Sequence, residues 1–326
     1  MNRKRDWIPT LLVPLLTWLL LAPVQIAVDE PLLLFERLIK GGGWVQILLL
    51  SVFGFIVIRQ MLDPMKVPLW RRRIWLIFSV YFFMQFAIGL FIDQRFLMTG
   101  KLHIPVPFMI AAGPIYRMQF SVMTLIFIST IVLSGPAWCS HFCYFGAWDS
   151  LAANGKTDRK PLKNKWLYKN IFLFLVIAGA LLFNLFGFRG LQTLIPALVF
   201  AFGGVGVILL ISRRKGKMVH CTLFCPIGTL VSYLKPVSPF RLRIEDSSCT
   251  NCMRCIPSCK YDALNRDDIL NRKPGLTCTL CGDCLSSCQD GSIQYRFFKL
   301  KPETSRRLFL VVVVTLYILC MGMARM

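Results

Sequence analysis

The sequence predicts an all-α polytopic membrane protein of about seven spans with a duplicated hairpin core, carrying a small, cysteine-rich α+β module near its C-terminal end. Three observations lead there. Of 326 residues, 56% are hydrophobic and 17% charged, with mean hydropathy +0.59, whereas an ordinary globular domain carries about 25% charged residues. Apolar runs of spanning length recur along the chain. Eight of the thirteen cysteines fall between Cys249 and Cys288.

A spanning helix needs about 20 mostly apolar residues. The runs that qualify are Ile8–Val28, Trp44–Met61, Ile74–Ile92, Met118–Trp138, Ile171–Phe188, Leu191–Ile211 and Leu308–Met323. Trp7, Trp44, Trp75, Trp138 and Trp166 sit near their ends, as an interfacial belt requires. The first run follows MNRKRDW, as a signal peptide would. It is long, contains Pro14 and Pro23 and lacks a small-residue cleavage site, so it reads as a retained anchor. The tight Gly187–Gly190 turn makes the fifth and sixth runs a hairpin.

Net charge is +22, from 38 Lys+Arg against 16 Asp+Glu. The basic segments lie between apolar runs, which is the pattern of membrane loops and not of nucleic-acid binding. Arg3–Arg5, Arg59–Arg73, Lys156–Lys169 and Arg213–Lys217 all fall on one side if the seven spans are real. Asp29, Glu30, Glu36 and Asp93 fall on the other. This orientation predicts an integral protein of the cytoplasmic (inner) membrane, in contact with lipid. Every cysteine motif then faces the cytoplasm and the C-terminus lies outside. The outer loop Asp93–Arg117 contains IPVPFMIAAGP, too short to span and broken by prolines. Domain boundaries are expected at 1–234 for the spans, 235–306 for a soluble module entered through KPVSPF, and 307–326 for a last helix.

The pattern C-x2-C-x2-C-x3-C occurs twice, at Cys249/Cys252/Cys255/Cys259 and at Cys278/Cys281/Cys284/Cys288. Four thiolates at this spacing suit one [4Fe–4S] cube, and in two-cluster ferredoxins the fourth cysteine of each run ligates the other cluster. The expected ligand sets are therefore Cys249, Cys252, Cys255 and Cys288 for one cluster, and Cys278, Cys281, Cys284 and Cys259 for the other. Zinc uses two C-x2-C pairs and has no need of a third cysteine at the same short step. Cluster cysteines must also stay reduced, which argues against a disulfide scaffold. A module this small leans on its clusters for stability.

Two further stretches match each other, CSHFCYFGAWDSL from Cys139 and CTLFCPIGTLVSY from Cys221, with Ser150 and Ser232 at equal offsets. Such a self-match signals duplication. The third and fourth spans with the first pair would form one repeat, and the fifth and sixth with the second pair the other. In a helix, cysteines at i and i+4 share a face. Cys139, Cys143, Cys221 and Cys225 could then meet as a third cluster or metal site. Redox-active dithiols, or small residues chosen for close packing, are the other readings. His141 and His220 flank the pairs as substitute ligands, and Cys320 reads as packing.

Apolar spans, a C-x3-C-P motif after a helix (Cys221–Pro226) and a two-cluster run resemble the NapH/NosR/CcoG family of membrane-bound polyferredoxins, in its minimal NapH-like branch. Tyr144 stands where the first pair would carry the family's proline. The resemblance implies electron transfer between membrane quinone and a redox partner subunit of a complex. Gln85, Gln119, Asn184 and Gln192 are the polar residues within or at the ends of spans able to bond a quinone carbonyl. Lys260, Arg266, Arg272 and Lys273 lie beside the cluster cysteines, where positive charge could dock an acidic partner. No bis-histidine pair in a span and no C-x2-C-H offers a haem site, so iron–sulfur centres are the expected carriers. An assembly factor that reduces a metal or thiol of another enzyme, and a redox sensor, are the competing classes.

Overall fold

The structure, a computed structural model, describes residues 6–28, 32–96, 109–120, 122–155 and 160–323. Arg3–Arg5, Asp29, Glu30, His103 and the start of the Lys156–Lys169 segment lie outside the described residues. The main helices are α1 (Trp7–Ala27), α2 (Gly42–Met61), α3 (Val67–Phe91), α4 (Met109–Arg117), α5 (Val122–Ser134), α6 (Tyr144–Ala152), α7 (Lys165–Leu185), α8 (Leu191–Val207), α9 (Pro226–Leu234) and α10 (Pro302–Gly322). Among the described residues seven helices are long and apolar enough to cross a membrane, the number expected from the apolar runs. Large apolar side chains such as Phe174, Val199 and Phe202 point outward, which suits lipid and not water.

Several helices outrun their apolar windows. α3 begins at Val67 with proline in its first turn and carries Arg71, Arg72 and Arg73; α10 begins at Pro302 and carries Arg306 and Arg307. Proline fits the first turn because no intrahelical N–H is needed there. Long basic side chains can continue a helix while their charged ends reach out of the apolar layer or onto carbonyls.

The chain divides into two compact units, Met1–His103 with Lys299–Met326, and Ile104–Phe298. The third span (α3) falls in the first unit with α1, α2 and α10, and the fourth in the second.

In the first unit α2 packs against α1 and α10. A Cβ on Gly54 would stand 3.0 Å from Val13 and 3.3 Å from Ile318, so the bare backbone here sets the close approach of three helices. The buried Tyr317 hydroxyl donates to the Ile74 carbonyl at 2.7 Å, fastening α10 to α3. Arg306 donates to the carbonyls of Met61 and Leu62, each at 2.8 Å, covering the last turn of α2 that has no intrahelical donors left.

In the second unit α4, from the proline-rich stretch, packs against α7. Asn184 donates to the Tyr116 carbonyl at 2.6 Å and the Tyr116 hydroxyl to the Phe188 carbonyl at 2.6 Å. α8 runs on through a π-helical turn at Ile208–Ser212 and stops at Gly216, whose φ of 62° gives a left-handed cap. The cysteine-rich segment hangs from an antiparallel pair, β1 (Phe240–Ile244) and β2 (Ile293–Phe297), in register Phe240↔Phe297 to Ile244↔Ile293. Along β1, Phe240, Leu242 and Ile244 face in and Arg241 and Arg243 face out, the two-residue alternation of a one-sided sheet. Both cysteine runs lie in the connection between these strands.

Candidate metal centres

The two C-x3-C segments adopt one backbone. Each first cysteine lies in a wide helical turn, closed by Cys143 N–H to Trp138 at 3.2 Å and by Cys225 N–H to His220 at 2.9 Å. Both bonds run from i to i−5, a π-type turn, where a regular helix would use i−4. Each second cysteine is the N-cap of the next helix, Cys143 (φ −75°, ψ 104°) for α6 and Cys225 (φ −77°, ψ 116°) for α9. The expectation that both sulfurs share one face of a continuous helix is therefore corrected. A π turn followed by a break supplies the geometry, and it aims the N-terminus of a helix at the second sulfur.

The Gly228 amide points at the Cys225 sulfur at 3.5 Å. No side chain fits at this position, since a Cβ would lie 2.7 Å from the Cys221 carbonyl oxygen. Burial pushes the Cys143 thiol up to about 12 and raises Cys221 and Cys225 as well. Backbone N–H groups of Phe145 and Gly146 oppose this at Cys143, and those of Gly228 and Ile227 at Cys225. Left as thiols these groups are poor acids. As thiolates on a cation they have amide dipoles already directed at them.

All four sulfurs line one cavity of about 30 Å³. Cys139 and Cys143 are buried, and Cys221 and Cys225 keep part of their surface toward the opening. Among the described residues no three His, Cys, Asp or Glu side chains converge closely enough to hold a single metal ion. The sulfurs thus surround a space, which fits a group larger than one ion. Lys169, from the first turns of α7, lines the same cavity at 1% exposure, donating to the Gly228 carbonyl at 3.2 Å and lying 3.4 Å from the Ser232 hydroxyl. Asp149 braces the two halves, its carboxylate accepting the Cys221 N–H at 2.9 Å while burial takes its own pKa up to about 6. Neither residue stood out in the sequence. Lys169 closes a basic segment, and the only signal for Asp149 is a carboxylate amid FGAW and SLAA.

His141 bonds the Ser140 hydroxyl and the Ala137 carbonyl, and His220 packs on the Phe145 ring at 5.1 Å. Neither lines the cavity. Burial takes His220 down to about 4, leaving it neutral.

The two longer runs repeat each other in space. Asn251 and Met253 of the first have φ of 54° and 58°, and Leu280 and Gly282 at the same offsets of the second have 57° and 79°. Left-handed Met and Leu are rare, so the recurrence marks a backbone bent to wrap its cysteines around a common point. Ser258 and Ser287, also equivalent, bond each other across the pseudo-twofold axis. Cys255 is pushed up to about 11 by burial and then by Cys288, Cys252 and Cys249. Cys284 is raised by burial and then by Cys281, Cys278 and Cys259, with Cys255 of the first run last. The structure therefore brings Cys288 to the first run and Cys259 to the second. Cys252 is exposed, whereas Cys278 and Cys284 are buried.

The second run also reaches the C-x3-C cavity, since Cys278 is among its lining residues. The Tyr261 hydroxyl donates to the Cys139 carbonyl at 3.1 Å and the Ser140 hydroxyl to the Thr279 carbonyl at 3.0 Å. Asp262 enters the span ends beside them and binds Lys217 and Lys165. Of the residues flanking the runs, Lys260 donates to the Gly216 carbonyl and Arg272 pairs with Asp246, while Arg266 and Lys273 are exposed.

The polar residues singled out in the spans do not gather. Asn184 and Gln192 serve the α7–α8 connection, Gln192 accepting the Arg189 N–H at 3.4 Å. Gln119 is exposed. Gln85, in the first unit, is 4% exposed and its side-chain oxygen has no hydrogen-bond partner.

Comparison with known proteins bears on the same segments. The profile of a family described as a 4Fe-4S binding domain matches residues 118–160 and 194–245. An uncharacterized protein of Methanocaldococcus jannaschii, MJ0749, is 24% identical over 185 residues, covering 53% of this chain and 70% of its own length. The putative electron transport protein YccM of Escherichia coli strain K12 is 24% identical over 244 residues, covering 65% of this chain and 62% of its own. No solved structure matches. Over both C-x3-C segments, then, the chain is similar to a 4Fe-4S binding domain, and over 65% of its length to a putative electron transport protein.

Proposed function

We propose that the protein is a membrane electron-transfer subunit that carries electrons between the quinone pool and a redox partner, with its cysteines toward the cytoplasm. The observation that carries the reading is the single cavity lined by Cys139, Cys143, Cys221 and Cys225, with Cys278 of the second run on its wall. The donor set is all sulfur and surrounds a space wider than one ion, which fits an iron–sulfur cluster. Cys249, Cys252, Cys255 and Cys288 would hold a second cluster, and Cys259, Cys278, Cys281 and Cys284 a third. Such clusters, when bound, supply one-electron chemistry with no proton needed.

The chain's own residues prepare these sites. Amides at the starts of α6 and α9 favour the thiolate form of Cys143 and Cys225. Apolar neighbours (Phe127, Ile131, Ile227 and Val231 beside Cys139) keep water away from that side. Among the quinone candidates Gln85 alone presents a buried, unengaged acceptor, to which a quinol hydroxyl can donate. The positive ends of the helices would hold the cysteine side at the cytoplasmic face.

Iron and acid-labile sulfide per chain, measured on anaerobically purified protein, test the reading. Electron paramagnetic resonance (EPR) spectra of wild type, Cys225→Ser and Cys252→Ser, reduced by dithionite and by a quinol analogue, complete the test. The expected result is a separate signal lost in each variant, with wild-type signals developing under quinol. Iron-free protein, or disulfides linking Cys139 to Cys143 and Cys221 to Cys225 on oxidation, would replace it with the dithiol reading.

A further inference from the structure

Lys169 is a buried cation with no carboxylate partner among the described residues. It is 1% exposed, and its ammonium meets only neutral oxygens, the Gly228 carbonyl and the Ser232 hydroxyl, apart from the Trp166 ring centroid at 5.9 Å. Two buried carboxylates of the same unit are engaged elsewhere, Asp149 with the Cys221 amide and Asp262 with Lys217 and Lys165. An isolated ammonium in such a place costs several kcal/mol unless a counter-charge is supplied. The groups its charge acts on are the sulfurs of Cys225, Cys139 and Cys221, on the wall of the cavity it shares with them, and the like charge of Lys165, which adds to the imbalance. Neutral thiols or disulfides would leave it unbalanced. Four thiolates around a cluster carry excess negative charge and balance it.

We infer that Lys169 is the counter-charge of the four-cysteine site, a positioning residue that helps the site retain an anionic iron–sulfur group and raises its reduction potential. The inference rests on the proposed occupancy of that site. Reduction adds one electron to a group already negative, taken from dithionite in the test and from a quinol in the proposed setting. A fixed positive charge alongside favours the reduced form. The hydrogen bond to the Gly228 carbonyl ties this charge to the amide that faces Cys225, so one lysine holds both the turn and its electrostatics.

The test uses the full chain in detergent under anaerobic conditions, with Lys169→Gln (neutral, still a donor) and Lys169→Arg (charge retained). Iron and sulfide are counted, and the EPR signal that disappears in Cys225→Ser is followed in a redox titration. In Lys169→Gln the reduced-to-oxidised ratio at a fixed ambient potential should fall about tenfold, 59 mV for a one-electron couple, while Lys169→Arg stays near wild type. Selective loss of this site's iron in Lys169→Gln but not in Lys169→Arg supports the same conclusion. Equal potentials in all three proteins overturn it, as does equal loss of iron in both variants, which would make shape and not charge the requirement. If Cys225→Ser removes neither iron nor a signal from wild type, it is the occupancy of the site that has failed, and the two failures are thus told apart.

Discussion

Replacing Asp262 by asparagine keeps the volume of the side chain and removes its charge from between two lysines. The carboxylate is 0% exposed; Lys217 beside it is 3% exposed and Lys165, at 3.3 Å, 19%. Its oxygens also accept the Leu162 N–H at 3.1 Å. Removing one member of a buried ion pair leaves the other charged and unsolvated, at a cost of about 3–5 kcal/mol. Lys165 can turn toward water, so most of that cost falls on Lys217. Its ammonium keeps the Lys160 carbonyl at 2.6 Å but no negative charge. For a unit running from Ile104 to Phe298, each kcal/mol moves the melting temperature by roughly 2–4 °C, so Asp262→Asn should melt about 10 °C below wild type. Tryptophan fluorescence in detergent at one scan rate measures the difference. The double variant Asp262→Asn/Lys217→Met, which removes the stranded charge, should recover much of the loss. A melting temperature within about 2 °C of wild type for the single variant, or a double variant no better than the single, would refute the argument.

Gly228→Ala forces a Cβ to 2.7 Å from the Cys221 carbonyl oxygen and should deplete iron at the C-x3-C site. Gly179→Ala, with nothing within 4 Å, should instead stabilise α7 by about 1 kcal/mol, and iron analysis beside thermal melting separates the two. On the proposed function, Gln85→Leu should raise the KM for a quinol analogue severalfold at unchanged iron content, since it removes a buried side-chain oxygen with no partner among the described residues. Tyr261→Phe loses the hydroxyl bond to Cys139, worth about 1 kcal/mol, and should speed amide hydrogen exchange in the Cys259–Leu264 loop severalfold without altering the EPR signal of the first run.

The likeness of the two cysteine runs could be read from spacing, because equal offsets carry the same left-handed turns, at Asn251 and Met253 in one and Leu280 and Gly282 in the other. Spans were legible as apolar runs, but their helix ends were not. The sequence shows where lipid-compatible residues stop, whereas α3 and α10 extend through arginines that carbonyls and the interface accept. The division into two units was hidden for a different reason. It depends on contacts such as Tyr317 to Ile74, far apart in the chain, and no periodicity records them. Lys169 was equally invisible, being one lysine among many on a basic segment until the fold turned it inward. The C-x3-C geometry was half legible. Spacing showed that the pairs belong together, but a regular helix was the wrong rule for a segment that unwinds into a π turn.

The clasp of Tyr261 on Cys139 and of Ser140 on Thr279 has a kinetic corollary. Here the segment is pegged to the spans at several points, with a salt-bridged aspartate as the deepest peg. On the proposed function nothing in that junction would need to diffuse before charge crossed it, so electron transfer over it should be indifferent to solvent viscosity.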